Sequence, residues 1–464
     1  MQPVVVLNAV GLTANLLKHA PRFRKLAQEA GMMRVRDVLP SVTCTAQATI
    51  LTGLNPEQHG IVGNGWLYRD TNEVRFWQQS NRLIQGEPLY AALKKADPKF
   101  RCAKLFWWFN QGADVEYSVT PKPHYGIDGG KVFGISGEPA GLTEEMERDL
   151  GPFPFHTFWG PKAGLPCTQW IARCAQWTLR KHRPDLTLVY LPHLDYDPQR
   201  FGPSGCDMAK LTNELDDACE QIFDEARKTG TKIVVLSEYG HCDVDQPVYL
   251  NRELRKAGLL AVREGPYGEQ LELYQSKAFA VCEHQLANVY VNDPAMFDKV
   301  AGLCRSLPGV EKAYAGDERS RIGLNHPRAG EIVLIAKPKA WFAYPFWLDD
   351  DLAPDYARCV AIHHKPGYDP AELFLDPAIR FPMMKIGMKL IRKKLGFRMK
   401  MDLIPLDAGL VKGSHGRMAD DPDDGPILIG CGERGEVIEM TEVRQKLMES
   451  VLDGFGAYTA RGPD

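Results

Sequence analysis

The chain has 464 residues, of which 44% are hydrophobic and 25% charged, and its formal net charge is −3. This length exceeds that of one compact domain, so we expect either one large α/β core with a substantial insertion or two domains. The composition is that of a soluble globular protein, and the small net charge gives no reason to expect binding to a nucleic-acid polymer.

The first residues lack a basic leader and a cleavage site, and no apolar run is long enough to span a bilayer. We therefore predict a cytoplasmic protein. The eleven cysteines are odd in number and scattered without Cys-x-x-Cys spacing. This pattern argues against a disulfide framework or a zinc ribbon.

Four short apolar runs predict buried parallel strands: Val4 to Ala9, Cys102 to Trp107, Leu186 to Leu191 and Lys232 to Leu236. Each run is followed by loop residues and then by a helical stretch, the first of them near residues 12–18. This alternation predicts an α/β fold with a doubly wound, mostly parallel sheet and helices on both faces.

Polar side chains follow three of these strands. Asn8, Asp195 and Glu238 each come at or just after the end of an apolar run. Because ligands of such sheets bind at the carboxyl ends of the strands, these three side chains should gather on one rim. The sequence therefore predicts a site there.

Residues 39–70 contain the strongest functional signal. Thr43 is predicted at a turn entering a helix, and Asn64 at the end of a Gly-rich return loop. A helix start exposes unpaired N–H groups and the positive end of the macrodipole, so a hydroxyl there can meet a phosphate group. The neighbouring Cys44 is an alternative nucleophile, or a small buried hydrophobic residue.

The segment Thr52 to Ile61 resembles the nucleophile region of the alkaline phosphatase superfamily, in its nucleotide pyrophosphatase/phosphodiesterase branch. Thr43 and Asn64 fall at the places of that family's nucleophile and phosphate-binding asparagine. The resemblance implies an alkaline phosphatase-like core that hydrolyses small phosphorylated substrates, such as phosphodiesters, pyrophosphates or phosphonates. Divalent metals would assist a threonine nucleophile.

The family's two metal ions, usually zinc, are held by aspartates, histidines and the nucleophilic threonine. Asp195 and His415 match an aspartate and a histidine ligand. The remaining metal-binding positions carry altered side chains, namely Asn8, Gln199, Glu238 and Tyr239. His241 is near enough in sequence to take the place of Tyr239.

These substitutions leave several interpretations open. The enzyme could use manganese or magnesium in an oxygen-rich site, or one metal held by Asp195 and His415. A non-catalytic member that binds a phosphorylated ligand and has lost its metals is the main alternative. Transfer of the phosphoryl group to an alcohol other than water is a third possibility.

Residues 289–405 predict an inserted α+β cap, with residues 1–288 and 406–464 forming the core. Around the cap, His363, Lys365 and Arg417 are candidate substrate-binding residues, the last two for a phosphate oxyanion. Structural hydrogen bonding is the alternative for His363. Aromatic clusters at 106–109, 158–161 and 341–347 predict either a pocket wall or core packing.

Residues 383–401 alternate apolar and basic side chains. Such a basic amphipathic helix can lie on an anionic membrane or bind an acidic partner. The alternative is a solvated helix that packs one face on the cap. The sequence gives no indication of the oligomeric state.

Overall fold

The computed structural model describes residues 1–127, 131–397, 399–432 and 434–459. The described residues form helices on both sides of a large sheet. Numbered in chain order, the α-helices are α1 Pro21–Ala30, α2 Thr43–Thr52, α3 Pro56–His59, α4 Leu89–Ala96, α5 Leu142–Leu150, α6 Leu165–His182, α7 Asp197–Phe201, α8 Met208–Ala218, α9 Glu220–Thr229, α10 Leu250–Lys256, α11 Phe297–Ser306, α12 Pro382–Lys394 and α13 Val443–Thr459.

Two larger sheets contain most of the strand residues. Numbered in chain order, their strands are β1 Val4–Ala9, β2 Met32–Arg36, β3 Cys102–Leu105, β4 Tyr117–Pro121, β5 Ile135–Glu138, β6 Leu186–Leu191, β7 Lys232–Leu236, β8 Ala278–Glu283, β9 Leu286–Val291, β10 Val310–Ala315, β11 Ile332–Ala336, β12 Ile427–Ile429 and β13 Arg434–Glu439.

The main sheet has the strand order β13-β2-β12-β7-β1-β6-β3-β4-β5 in the described part of the chain. Strand β1 is central and pairs in parallel with β6 and β7, and β3 continues the parallel set. Strand β12 is antiparallel to both of its neighbours, and β5 is antiparallel to β4. The α/β, mostly parallel fold predicted from the sequence is therefore confirmed.

Strand β1 is buried on both faces because a helix layer covers each of them. Val5 and Leu7 pack with apolar residues of α1, α6, α8 and α9. Val4 and Val6 pack with α2, α4 and α13 on the opposite face. Since side chains alternate along a strand, Asn8 faces the same side as α2, the helix that begins at Thr43.

The second sheet is antiparallel, in the order β8-β9-β11-β10. Its first hairpin joins β8 to β9 through a tight turn, in which His284 has a positive φ of 52°. This turn reaches the carboxyl edge of the main sheet, where His284 stacks on His415 with ring centroids 3.7 Å apart. The hairpin therefore contributes to both the second sheet and the rim of the first.

The predicted boundary at residue 289 falls inside β9, so the second sheet begins earlier than the sequence suggested. The division into a core and an inserted cap stays a prediction. Shorter paired strands lie around the two sheets: Gly65–Tyr68 with Glu73–Phe76, His124–Tyr125 with Lys131–Val132, Cys242–Asp243 with Gly413–Ser414, Gln246–Val248 with Ala340–Phe342, and Val262–Arg263 with Gln270–Leu271.

Short 3₁₀ turns connect many of these elements. They cover Ala14–His19, Asn81–Leu83, Phe155–Thr157, His193–Asp195, Pro203–Gly205, Pro294–Met296, Gly316–Ile322, Asp350–Leu352, Pro370–Leu373, Ala408–Leu410, Pro422–Asp424 and Met440–Glu442. In the described residues, no helix has the length and apolar character needed to cross a bilayer. The cytoplasmic location stays a prediction.

Lys104 is fully buried in β3, and its ammonium nitrogen lies 2.7 Å from the carbonyl oxygen of Phe109. Burial lowers the pKa of Lys104 from 10.5 to about 7. The bond holds a loop in which Phe106 and Phe109 both have positive φ. The positive φ of Phe106 also explains why β3 ends before Trp107, the predicted end of this strand.

Lys104 should make the free energy of unfolding rise with pH. Between pH 7 and 10.5 the unfolded chain holds a proton on this amine that the folded chain has lost, so raising the pH favours folding by at most about 1.4 kcal/mol per pH unit. Urea unfolding at pH 7.5 and 9.5 should show that Lys104→Met removes this increase. Lys99→Met, at an exposed lysine, is the control, and parallel pH profiles for wild type and Lys104→Met would contradict the prediction.

Candidate active site

A cavity of about 1520 Å³ opens at the carboxyl edge of the main sheet. Its floor includes Thr43, Asn64, Asp195, Tyr239 and His415. The structure thus brings together residues from four distant parts of the sequence, as the strand pattern and the resemblance predicted.

Thr43 is the first residue of α2, because the preceding Val42 is still extended, with φ of −137° and ψ of 157°. Its hydroxyl oxygen lies 2.9 Å from the phenol oxygen of Tyr239. The adjacent Cys44 is buried, and burial raises the pKa of its thiol well above the usual value. Among the described residues Thr43 lines the cavity and Cys44 packs in an apolar cluster outside it, so Thr43 is the better candidate.

Asn64 is held in place by one backbone N–H and by one buried carboxylate. Its side-chain oxygen accepts a hydrogen bond from the N–H of Cys44 at 2.9 Å. Its own N–H donates to both carboxylate oxygens of Glu283, at 2.8 and 3.0 Å. The side-chain nitrogen has no hydrogen-bond partner in the part of the chain that the structure describes. This fixed amide therefore retains a donor for an anion in the cavity.

Asp195, His241 and His415 form a cluster beside Thr43. The three side chains offer ligand atoms that lie within 4.8 Å of one another. His241 Nε2 is 3.0 Å from Asp195 Oδ1, and His415 Nε2 is 3.8 Å from the same oxygen. Burial alone would raise the pKa of Asp195, but its hydrogen bond to His241 and the two imidazoles hold that pKa below the usual value.

The tautomer of His415 suits metal binding. Its Nδ1 lies 2.7 Å from the carbonyl oxygen of Ser41 and donates to it, which leaves the lone pair of Nε2 directed towards Asp195. Burial lowers the pKa of His415 well below its usual value, so the ring is neutral. A ligating histidine commonly donates its other N–H to a carbonyl in this way, and the Asp195–His241–His415 donor set fits one divalent cation.

The predicted ligands Asn8 and Glu238 are arranged differently. Both are fully buried, and the amides of Asn8 and Gln47 donate hydrogen bonds to one oxygen of Glu238. Burial raises the pKa of Glu238 to about 8, so this carboxyl is mostly protonated at neutral pH. Two amides thus engage one oxygen of Glu238, and the roles of Asn8 and Glu238 as metal ligands stay predictions.

Gln199 and Tyr239 form hydrogen bonds with other side chains, and their roles as metal ligands stay predictions. Gln199 accepts a hydrogen bond from the phenol of Tyr368 at 2.8 Å, so its carbonyl oxygen is engaged. Burial raises the pKa of Tyr239 well above its usual value, and the protonated phenol donates to Asp195 at 3.3 Å. Its ring stacks on His415 with centroids 3.7 Å apart.

The structure also corrects two predicted substrate contacts, since within the described residues neither Lys365 nor Arg417 lines the cavity. Lys365 is buried between Asp369, at 2.6 Å, and Glu372, at 2.8 Å. Arg417 pairs with carboxylates of the surface, Asp420 at 2.6 Å and Glu311 at 3.1 Å.

His363, in contrast, lies in the cavity wall, where its Nδ1 is 3.3 Å from the carbonyl oxygen of Phe76. The aromatic clusters divide between the two predicted roles. Trp108, Phe158 and Trp159 line the cavity, whereas residues 341–347 pack in the core.

Three residues of the site were missed or left open by the sequence interpretation. His241 follows Tyr239 by two positions, and this short spacing was the available signal. Gln47 lies one helical turn after Thr43 and could have been found on that ground. Glu283 carries no local motif, because it reaches Asn64 from the distant β8–β9 hairpin.

The sheet topology and the threonine at a helix start define a class of protein, the alkaline phosphatase superfamily. Residues 4–369 match the profile of the family described as type I phosphodiesterase / nucleotide pyrophosphatase. The chain belongs to this family.

Two curated relatives are from yeasts. An uncharacterized pyrophosphatase/phosphodiesterase of Schizosaccharomyces pombe is 25% identical over 240 residues, which is 50% of this chain and 41% of that protein. Ectonucleotide pyrophosphatase/phosphodiesterase 1 of Saccharomyces cerevisiae is 25% identical over 293 residues, covering 54% of this chain and 36% of the relative. The chain therefore spans about two fifths of the length of these relatives.

Two solved structures share the fold. Phosphonoacetate hydrolase of Sinorhizobium meliloti 1021, in complex with phosphonoformate, has a TM-score of 0.60 at 15% identity and covers 97% of this chain and 96% of its own. Inactive murine ectonucleotide pyrophosphatase/phosphodiesterase 5, in complex with AMP, has a TM-score of 0.58 at 14% identity, with 97% and 95% covered.

Gly63 is required for the close approach of Glu283 to Asn64. A Cβ at residue 63 would lie 2.4 Å from Oε2 of Glu283, so Gly63→Ala should displace this carboxylate. We expect a loss of about 1–3 kcal/mol in the free energy of unfolding, measured by urea denaturation. Gly302→Ala is the matched control, because nothing lies within 4 Å of its added methyl group in α11. Equal stabilities for the two variants would contradict this account.

Proposed function

We propose that this protein hydrolyses phosphate esters, with Thr43 as the nucleophile and one divalent cation bound by Asp195, His241 and His415. The observation that carries the proposal is the position of the Thr43 hydroxyl. It lies at the first residue of a ten-residue helix, on the floor of the cavity and next to an unpaired amide donor. Membership of the phosphodiesterase family supports the reaction class.

Recognition of the phosphate group follows from Asn64 and the start of α2. The side-chain N–H₂ of Asn64 can donate to a nonbridging oxygen, while its other contacts keep the amide fixed. Helix starts bind anions through free N–H groups and the macrodipole. The complexes of two structural relatives with AMP and phosphonoformate support a phosphate- or phosphonate-bearing ligand in this position.

Activation of Thr43 follows a chain of hydrogen bonds. Tyr239 donates its phenol proton to Asp195, which leaves the phenol oxygen to accept the proton of Thr43. As the oxygen of Thr43 bonds to phosphorus, its proton moves to Tyr239 and the phenol proton moves to Asp195, while the bond between phosphorus and the leaving oxygen breaks. The leaving alkoxide takes a proton from water. The neighbouring His241 stabilises the carboxylate before the transfer.

A cation in the metal site would balance the negative charge of the phosphoryl oxygens. When bound, a divalent cation supplies Lewis-acid stabilisation of the phosphoryl oxygens. Asp195, His241 and His415 are the residues that would hold it, and their nitrogen and carboxylate donors suit zinc. Water then attacks the phosphorus of the phospho-threonine and loses a proton to solvent. The bond from phosphorus to Thr43 breaks, and the proton held by Asp195 returns to Thr43 through Tyr239.

Tyr239→Phe tests the proton path. The variant keeps the ring that stacks on His415 but removes the hydroxyl between Thr43 and Asp195, so kcat should fall about 10²-fold with little change in KM. Steady-state kinetics with a chromogenic phosphodiester measure both constants. Tyr344→Phe is the control, because it deletes another buried hydroxyl, outside this cavity, that has no hydrogen-bond partner in the described chain. Full activity of Tyr239→Phe would exclude the path.

His241→Ala tests the metal site. Wild-type protein should retain about one zinc equivalent after dialysis, and the variant should bind zinc at least about 10–100-fold more weakly, as measured by mass spectrometry of the metal content. The control is His326→Ala, which removes a ring bonded to Gln85 away from the cavity. Manganese and magnesium are also supplied, because Asn8 Oδ1 and Glu238 Oε2 are oxygens without partners among the residues described.

Thr43→Ala separates the proposal from its main alternative. If the protein is a hydrolase, this variant should lose at least about 10³-fold in kcat while it still binds a phosphonate. If wild type binds a phosphonate but shows neither turnover nor zinc retention, the protein is a binding member of the family. Product analysis in the presence of added alcohols distinguishes hydrolysis from phosphoryl transfer.

A further inference from the structure

Helix α12 carries apolar side chains on two different faces. One face carries Met383, Ile386 and Leu390, which line the cavity above the candidate active site, although Met383 and Leu390 remain 63% and 47% exposed; the residues of the second face do not line it. Their spacing of three and then four residues places them on one side of the helix. With a volume of about 1520 Å³, the cavity exceeds the roughly 300–1,000 Å³ of ordinary small-molecule pockets.

The second face of α12 is exposed. Met384, Met388, Ile391 and Leu395 recur at intervals of four, three and four residues, and between 54% and 69% of each residue is accessible. Phe381 and Phe397, at the two ends of the helix, are exposed to a similar extent. A continuous exposed apolar stripe of this kind marks an interaction surface in a folded protein.

The charges around this stripe are positive. Arg392, Lys393 and Lys394 form the exposed last turn of α12. Lys385 and Lys389 both pair with Asp402 and thereby neutralise the nearest carboxylate. An apolar stripe with basic residues beside it matches an anionic membrane surface, where acyl chains meet negative headgroups.

The walls of the cavity are also suited to binding the alkyl chain of a ligand. Much of the lining is aromatic or aliphatic, with Phe158, Val360, Ile362 and Leu403 in addition to the inner face of α12. The lysines Lys122, Lys162, Lys393 and Lys400 also line the cavity. Thr43 and Asn64 line the same cavity as Met383, Ile386 and Leu390 of α12. An amphiphilic molecule could therefore extend from Thr43 towards the lipid surface without leaving apolar contacts.

We infer that the substrate is an amphiphilic phosphate ester taken from an anionic membrane. The outer face of α12 rests on the lipid surface, and the apolar chain of the substrate occupies the cavity while its phosphate group lies at Thr43. The position of the phosphate rests on the proposed function, whereas the membrane contact and the binding of the chain rest on α12 and the cavity alone.

The test uses the full chain carrying Thr43→Ala, so that binding is measured without turnover. Octylphosphonate and methylphosphonate are titrated by calorimetry. Each methylene buried in the cavity should tighten binding about fourfold, so the octyl compound should bind at least about 100-fold more tightly. Membrane binding is measured by co-sedimentation with phosphatidylcholine vesicles that contain either no anionic lipid or about 30% phosphatidylglycerol, with at least about tenfold stronger binding expected for the anionic vesicles.

Paired variants on the two faces of α12 provide matched controls for each other. Ile386→Gln with Leu390→Gln should abolish the preference for octylphosphonate but leave vesicle binding in place. Met388→Gln with Ile391→Gln should reduce vesicle binding at least about tenfold and keep the chain-length preference. Glutamine is a good helix former, and circular dichroism verifies that each protein is folded.

A separate pair of variants tests the electrostatic attraction between α12 and anionic lipids. Arg392→Glu with Lys394→Glu should remove the preference for anionic vesicles. Lys228→Glu with Lys299→Glu makes the same charge change on two other helices, α9 and α11, and should not remove it. An equal loss in both pairs would mean that net charge, and not α12, determines binding.

Each outcome separates this inference from the proposed function. Equal affinities for methylphosphonate and octylphosphonate, or no binding to anionic vesicles, would overturn the inference even if phosphate esters are hydrolysed. A chain-length preference together with vesicle binding would support it even if wild type shows no turnover. If the outer face instead mediates self-association, sedimentation velocity will show a dimer that Met388→Gln with Ile391→Gln dissociates, and the inference fails.

Discussion

The buried carboxylate of Asp195 is the charge around which the rest of the site is arranged. A carboxylate in a protein interior is costly unless it is hydrogen-bonded or paired. Here the phenol of Tyr239 donates to it, and the imidazoles of His241 and His415 lie against it. These partners come from separate parts of the chain. The site therefore forms only when the main sheet is folded together with the loop that carries Tyr239 and His241 and the loop that carries His415. In the proposed mechanism the same carboxylate accepts the proton that leaves Thr43 and helps to hold a cation.

The sequence predicted the scaffold well where one local pattern decided the outcome. Strands β1, β6 and β7 begin and end at the residues that their apolar runs indicated, because each run is buried on both faces. Thr43 and Asn64 were found because they flank a contiguous motif. Lys365 and Arg417 were assigned wrongly, since a basic residue in a loop gives no sign of the carboxylate that will pair with it. Glu283 could not be found, because its contact with Asn64 depends on how two sheets meet.

Glu238 illustrates how burial and hydrogen bonds keep an acidic side chain nearly neutral. Glu238 keeps an acid at its position, yet amides of Asn8 and Gln47 and a raised pKa make it nearly neutral at physiological pH. Hydrogen bonds within the protein can thus replace the charge neutralisation that an ion would provide. The fold is retained at 14–15% identity to solved relatives, because the apolar strands, and not these polar residues, determine the sheet.

The buried triad of Lys365, Asp369 and Glu372 has a consequence for the shape of the binding chamber. Glu372 also accepts hydrogen bonds from the indole of Trp159 and the N–H of Ala361, so one acidic side chain ties together segments that flank the chamber. On that side, the width of the chamber is fixed by these short hydrogen bonds and ion pairs and by the length of the connecting polypeptide. Another part of the wall consists of Met383, Ile386 and Leu390 on α12, and flexible side chains such as methionine can change rotamer. Ligands of different width would therefore be accommodated by rearrangement of the α12 side chains, while the side held by Glu372 stays fixed.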